Sequence, residues 1–237
     1  MQIFDAHTHI GESYPREKGF YQLATASTPE DCARLNGLVK HDSQLFFACG
    51  LHPWHSADVS VEALLPWFSS CSAIGEIGMD SVWCQVDLEV QRRAFRTQLQ
   101  LAEDHKKPIV LHTKGCEREV LEEISCVSQN ILVHWYSSNH YLSEYIQKGC
   151  YFSVGPDLLQ NQAVQAVVES VPIDKLVLES DGTDGISWAL GREVREAEIP
   201  CFLQQQIINI ANRKGSKPNI LADTLFENAL AFLGVSR

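Results

Sequence analysis

Ile3-Phe4-Asp5-Ala6-His7-Thr8-His9 decides how the rest of the chain is read. A short apolar run opens it and a His-x-His closes it. In a strand, residues i and i+2 face the same way, so His7 and His9 project side by side. Two neutral imidazoles on one face make half of a metal site. Alone, so short a motif fits a pair of ordinary histidines equally well. The other apolar runs tip the balance, because they too end in His, Glu or Asp.

Downstream, short β-like runs alternate with helical patterns. Residues 21–26 form a second run, and Pro29 and Glu30 open a helix to about residue 40, N-capped by Ser27 or Thr28. Residues 44–51 read as a buried strand, 61–68 as a short helix, and 73–80 as a strand with its terminal loop. Helical spacing at Val90, Ala94, Leu99 and Leu101 marks residues 86–107, closed by Pro108. Strands follow at 109–112, 130–134, 150–155 and 176–181, with helices at 117–127, 138–148 and 162–171. Gly149 suits a helix C-cap. Helices at 202–213 and 220–233 close the chain.

The runs are continuously apolar rather than alternating, which suits a parallel sheet covered on both faces. About eight such units in 237 residues predict an α/β fold, a single-domain TIM (β/α)8 barrel spanning residues 1–237. An open, doubly wound sheet competes, but it usually carries a glycine-rich turn after its first strand. Here that position holds His7-Thr8-His9.

Composition narrows the function classes. Hydrophobic residues make up 45%, ample for a large core, and the net charge of -11 argues against coating nucleic acid by bulk electrostatics. The eight cysteines are scattered without a Cys-x-x-Cys, as expected of reduced thiols in a cytoplasmic protein. Cys49 and Cys150 sit inside apolar runs as core filler. No apolar stretch approaches the ~18 residues of a membrane span, and no basic, hydrophobic leader precedes Ile3. Neither a membrane nor an obligate protein partner is expected.

The strand ends carry the chemistry. The first ends in His7 and His9, the fourth in Glu76, the fifth in His112, the sixth in His134 and the eighth in Asp181. In a barrel these ends share the rim where active sites of this fold lie. Four imidazoles and two carboxylates are too many for one tetrahedral ion. They suit two divalent ions, zinc, magnesium or manganese, roughly 3.5–4 Å apart and bridged by a carboxylate and a water. His41, His105 and His140 fall away from strand ends and read as surface residues.

Taken together, Asp5-Ala6-His7-Thr8-His9, Gly50-Leu51-His52-Pro53, Ala73-Ile74-Gly75-Glu76-Ile77-Gly78-Met79-Asp80, the helix bearing Gln91, Phe95, Gln98 and Ala102, Pro108-Ile109-Val110-Leu111-His112 and Leu178-Glu179-Ser180-Asp181 resemble the TatD family of metal-dependent hydrolases. Asn228-Ala229-Leu230-Ala231-Phe232-Leu233-Gly234 is similar to the family's ending. The resemblance implies a TIM barrel with deoxyribonuclease or phosphodiesterase activity. It further implies one metal on His7, His9 and Asp181 and the other on His112 and His134. Glu76 would bridge them, Asp181 would orient or deprotonate the attacking water, and His52 would face the substrate. The chain departs from the family at Lys114, where an Arg is common, at Trp135-Tyr136-Ser137-Ser138 after the sixth-strand His, and from Gly182 to Trp188.

Three functions follow in order of preference. The first is a phosphodiesterase acting on DNA or a nucleotide, such as a 3′-end exonuclease, with Lys114 adding a cation and Trp54, Trp135 or Tyr136 stacking a base. The second is a small-molecule amide, ester or lactone hydrolase. The third is a scaffold that merely retains its ligands.

Overall fold

The computed structural model describes residues 1–235, so positions 236 and 237 of the expected domain lie outside the described residues. The strands are β1 (Ile3–Thr8), β2 (Phe20–Ala26), β3 (Leu45–Cys49), β4 (Ala73–Asp80), β5 (Ile109–Lys114), β6 (Ile131–Val133), β7 (Tyr151–Val154) and β8 (Leu176–Leu178). Each pairs in parallel with the next, and β1 meets β8 through Asp5 and Leu178. The barrel is therefore closed, which rules out the open sheet.

The helices are α1 (Pro29–Leu38), α2 (Leu65–Phe68), α3 (Leu88–His105), α4 (Glu117–Glu123), α5 (Leu142–Gln147), α6 (Gln162–Ser170), α7 (Gly182–Leu190), α8 (Ile199–Lys214) and α9 (Pro218–Leu233). Thr28 caps α1, its side chain accepting from the Asp31 N–H at 3.2 Å. Asp87 does the same for α3, accepting from the Glu89 N–H at 2.9 Å. Lys106, in the left-handed conformation, ends α3. The helix expected over 61–68 is instead a 3-10 turn, Val61–Leu64, followed by α2. Pro66 has no N–H to continue an α-helical ladder back to Glu62.

Two cores form. Phe4, Leu23, Ala48, Val110, Leu132 and Val177 fill the barrel interior and meet Phe226, Leu230 and Leu233 of α9. Phe4, Tyr21 and Tyr151, near the starts of their strands, pack tilted or edge to face against Phe226 or Phe232. Helix α9 thus plugs the end of the barrel where the strands begin, leaving the opposite rim open. The larger core lies between the outer strand faces and the surrounding helices, with Phe47, Ile74 and Leu111 packed in one cluster with Leu35, Phe95 and Val167. Cys49 and Cys150 are buried free thiols.

Two strands slip register. The pairing shifts in β1 between Asp5 and Thr8, and in β4 between Ile74 and Ile77. Such bulges twist a strand and re-aim its side chains. These are the strands that carry His7 and Glu76.

Among the described residues no helix is long and apolar enough to cross a membrane.

Candidate metal centre

Glu76 is the hub. It lies in the shifted segment of β4, 2% exposed. Its two carboxylate oxygens face different partners. Oε2 lies 3.4 Å from His7 Nε2 and 3.7 Å from His9 Nε2. Oε1 lies 2.7 Å from His112 Nδ1, 2.9 Å from His134 Nε2 and 3.4 Å from His52 Nε2. Asp181 joins the first group, with Oδ1 3.3 Å from His7 Nε2 and 3.5 Å from His9 Nε2. The barrel therefore brings all six side chains expected at the rim into one cluster around a single carboxylate. His52 enters the cluster as well.

Local structure aims each group. His7 is fully buried, with Nδ1 3.3 Å from Thr25 Oγ1 of β2. His9 lies one residue beyond β1 with its side chain half exposed. Asp181 takes a left-handed backbone conformation at the start of α7, where the helix N-terminus favours a carboxylate. Its N–H donates to the His7 carbonyl at 3.1 Å. Gly182 and Gly185 permit this turn. A Cβ on Gly182 would meet the His9 carbonyl oxygen at 2.6 Å, and one on Gly185 would meet Asp181 Cβ at 2.6 Å.

Outer carboxylates hold two of the imidazoles. Asp80 Oδ2 is 3.1 Å from His112 Nε2. Asp80 is itself held at its backbone by Gln91, which accepts from the N–H and donates to the carbonyl. Glu179 Oε2 accepts from Ser153 Oγ at 2.5 Å and stands 3.4 Å from His134 Nδ1. Asp80 and Glu179 were not singled out in the sequence. Their positions within Gly75–Asp80 and Leu178–Asp181 were the available signal.

Charge follows from this crowding. Burial would raise the Glu76 carboxyl, but His134, His52 and His7 and the His112 hydrogen bond hold it well below the usual carboxylate range. Asp181 is likewise lowered, its burial outweighed by His7 and His9. Burial and His134 push His7 down, yet Glu76 and Asp181 carry it to about 9. His52 is lowered by burial. Its Nδ1 accepts from the Trp54 N–H at 3.3 Å, so the neutral ring carries its proton on Nε2 and is a donor there.

The cluster fits metal. His7 Nε2 is buried without a hydrogen-bond partner, though two carboxylate oxygens lie 3.3–3.4 Å away. Donors held at ~2.1 Å around one ion stand about 3.0–3.4 Å from each other, and zinc sites use these nitrogen and oxygen donors. The close groupings are His7, His9 and Glu76; His7, His134 and Asp181; and His52, Glu76 and His112.

The residues expected to touch substrate fare differently. Lys114 Nζ, at the end of β5, donates to Ser137 Oγ at 2.7 Å. Trp135 is half buried, its Nε1 donating to Asp157 Oδ1 at 2.7 Å. Trp54 is 45% exposed and donates through Nε1 to Asp80 Oδ2. Tyr136 cannot stack a base: it is 1% exposed, packed against Tyr145 and Phe152, with its hydroxyl on the His140 carbonyl. Its side chain completes the outer core instead. His41, His105 and His140 are exposed.

A family model described as TatD related DNase matches residues 4–234. The chain belongs to that family. Among its relatives, a putative deoxyribonuclease TATDN1 homolog of Vairimorpha ceranae is 29% identical over 201 residues, 80% of this chain and 75% of that one. A 3′-5′ ssDNA/RNA exonuclease TatD of Pectobacterium carotovorum is 26% identical over 222 residues, 87% of this chain and 80% of that one. The crystal structure of the TatD homolog YJJV from Escherichia coli superposes with a TM-score of 0.83 at 20% identity, covering 99% of this chain and 98% of that one. That likeness carries the barrel fold across the family.

Proposed function

We propose that the protein is a divalent-metal-dependent phosphodiesterase that cleaves DNA or a nucleotide phosphodiester by attack of water. The observation that carries the reading is the division of labour at Glu76: one oxygen toward His7 and His9, the other toward His112 and His134. His7, His9 and Asp181 would hold one ion, His112 and His134 the other, with Glu76 between them. Two ions, when bound, supply positive charge at the phosphate oxygens and lower the pKa of a bound water towards ~7. An imidazole-rich set suits zinc better than magnesium or manganese.

The chain's own residues do the rest. Asp181, kept ionised, takes the proton from the attacking water. Asp80 and Glu179 orient His112 and His134, as carboxylates beside ligating imidazoles do. His52, neutral and protonated on Nε2, donates to a phosphate oxygen. Lys114 adds a cation at the rim. The DNase and exonuclease names of the relatives support a phosphodiester substrate over an amide, ester or lactone.

Nitrophenol release tests this. Metal-loaded protein is expected to hydrolyse bis(p-nitrophenyl) phosphate and to leave p-nitrophenyl acetate at its background rate. Turnover of the acetate without the phosphodiester would reverse the assignment.

A further inference from the structure

Four of the five tryptophans follow strand ends at the open rim: Trp54 after β3, Trp83 after β4, Trp135 after β6 and Trp188 on α7 after β8. Three of them form a row. The Trp188 ring lies 6.1 Å from that of Trp83 and 5.6 Å from that of Trp135, both edge to face. Trp83 is 51% exposed and Trp188 58%. Large aromatic rings clustered in water are costly to leave bare and mark an interaction surface.

The row is tied to the metal centre along its length. Asp80 holds His112 through Oδ2, and its Oδ1 accepts from the backbone N–H of Val82 and Trp83 at 2.8 Å each. Trp135 directly follows His134, and its N–H donates to Ser153 Oγ, the hydroxyl that also serves Glu179. Gly155 makes room for it, since a Cβ there would lie 2.1 Å from the Trp135 ring. Trp188 sits on the helix that Asp181 begins.

The chemistry of the row selects its occupant. The Trp135 indole N–H is spent on Asp157, so it is not free to hydrogen-bond the edge of a base. With a net charge of -11, the protein gains little from bulk attraction to a polyanion. Stacking on neutral rings needs no charge and tolerates any base. A duplex keeps its bases stacked on each other and presents none.

We propose that Trp83, Trp188 and Trp135 form a stacking platform for unpaired bases of a single-stranded polynucleotide beside the scissile phosphate. This rests on the phosphodiesterase reading and adds to it the residues that hold the bases; single-stranded substrates are already those in the name of the Pectobacterium relative.

The test uses the full chain and the oligonucleotide dT8. Binding of dT8 should quench tryptophan fluorescence. Trp188→Ala should weaken that binding roughly tenfold, the scale of losing a stacked base. Trp188→Phe, which keeps a ring, should restore most of it. In the metal-loaded enzyme, KM for dT8 should rise by a similar factor in Trp188→Ala with little change in kcat. The proposal is overturned if Trp83→Ala and Trp188→Ala, folded by circular dichroism, both bind dT8 as the parent does. Equal binding of a duplex would also overturn it. So would a change of oligomeric state in Trp188→Ala by sedimentation, which would make the row a contact between copies. Failure of the parent to hydrolyse bis(p-nitrophenyl) phosphate would instead sink the phosphodiesterase reading, and is recorded separately from dT8 binding.

Discussion

Asp181 shows how much one residue carries. Its carboxylate lies 3.3–3.5 Å from two imidazole nitrogens, and its backbone turns the chain from β8 into α7. Asn is nearly isosteric and keeps a carbonyl oxygen, but it is neither a base nor an anion. Asp181→Asn is therefore expected to lower phosphodiester turnover by roughly 10²-fold or more with the barrel intact. Steady-state kinetics across a metal titration, with circular dichroism, check this. Near-normal turnover at saturating metal would make Asp181 a structural cap. The six rim residues were legible in the sequence because each ends an apolar run. Asp80 and Glu179 were not, since a carboxylate's partner depends on where strands far apart in sequence come together. The row of Trp83, Trp135 and Trp188 was hidden for the same reason: its members lie on separate rim segments. Tyr136 misled because it sits beside Trp135, while its side chain turns to the other side of the strand end.

At the level of elements, the strands were readable and their fine geometry was not. Nothing in the pattern of β1 or β4 announces a register slip, because a bulge preserves composition. Helix α7 was missed altogether. Gly182 and Gly185 lower helix propensity, yet both are demanded by the close approach of His9 and Asp181. Gly78 is a similar case in β4. Its φ is +150°, and a Cβ there would lie 1.9 Å from the His112 carbonyl oxygen. Gly78→Ala should cost about 3 kcal/mol or more through overpacking and backbone strain, measured by urea unfolding; a loss within ~0.5 kcal/mol would contradict the tight β4–β5 approach. The α3–α4 contact gives a pH-dependent test. Arg96 meets Glu123 through Nε at 2.7 Å and Nη2 at 2.6 Å, and its hydrogen bonds lower the Glu123 pKa below the ordinary 4.5. A carboxyl lowered on folding stabilises above its unfolded value, and that gain is lost as pH falls through the folded value. Glu123→Gln should cost up to about 1 kcal/mol at pH ~7, with the difference closing in acid. A gap that stays constant with pH would show that the charge contributes nothing.

Across the whole molecule, one end of the barrel is plugged and the other holds the chemistry. Phe232 of α9 is 1% exposed and packs against Tyr151. Phe232→Ala should cost about 3–5 kcal/mol, far from the rim, so metal affinity should hold while the melting temperature drops. A metal affinity that falls along with the melting temperature would contradict that separation. The six clustered side chains come from β1 and the residue after it, from β4 and β5, and from the segments following β6 and β8, so the cluster exists only in the closed barrel. Ions that bind only the folded state raise its stability. Everything at this rim turns on the proposal that Glu76 serves both halves of one paired centre. Elemental analysis of the parent and of Glu76→Ala, after loading with zinc or manganese and removal of free metal, tests it most directly. About two ions per parent chain are expected, and in folded Glu76→Ala a greater loss of metal than when any other single donor is replaced. An unchanged metal content in Glu76→Ala would contradict it.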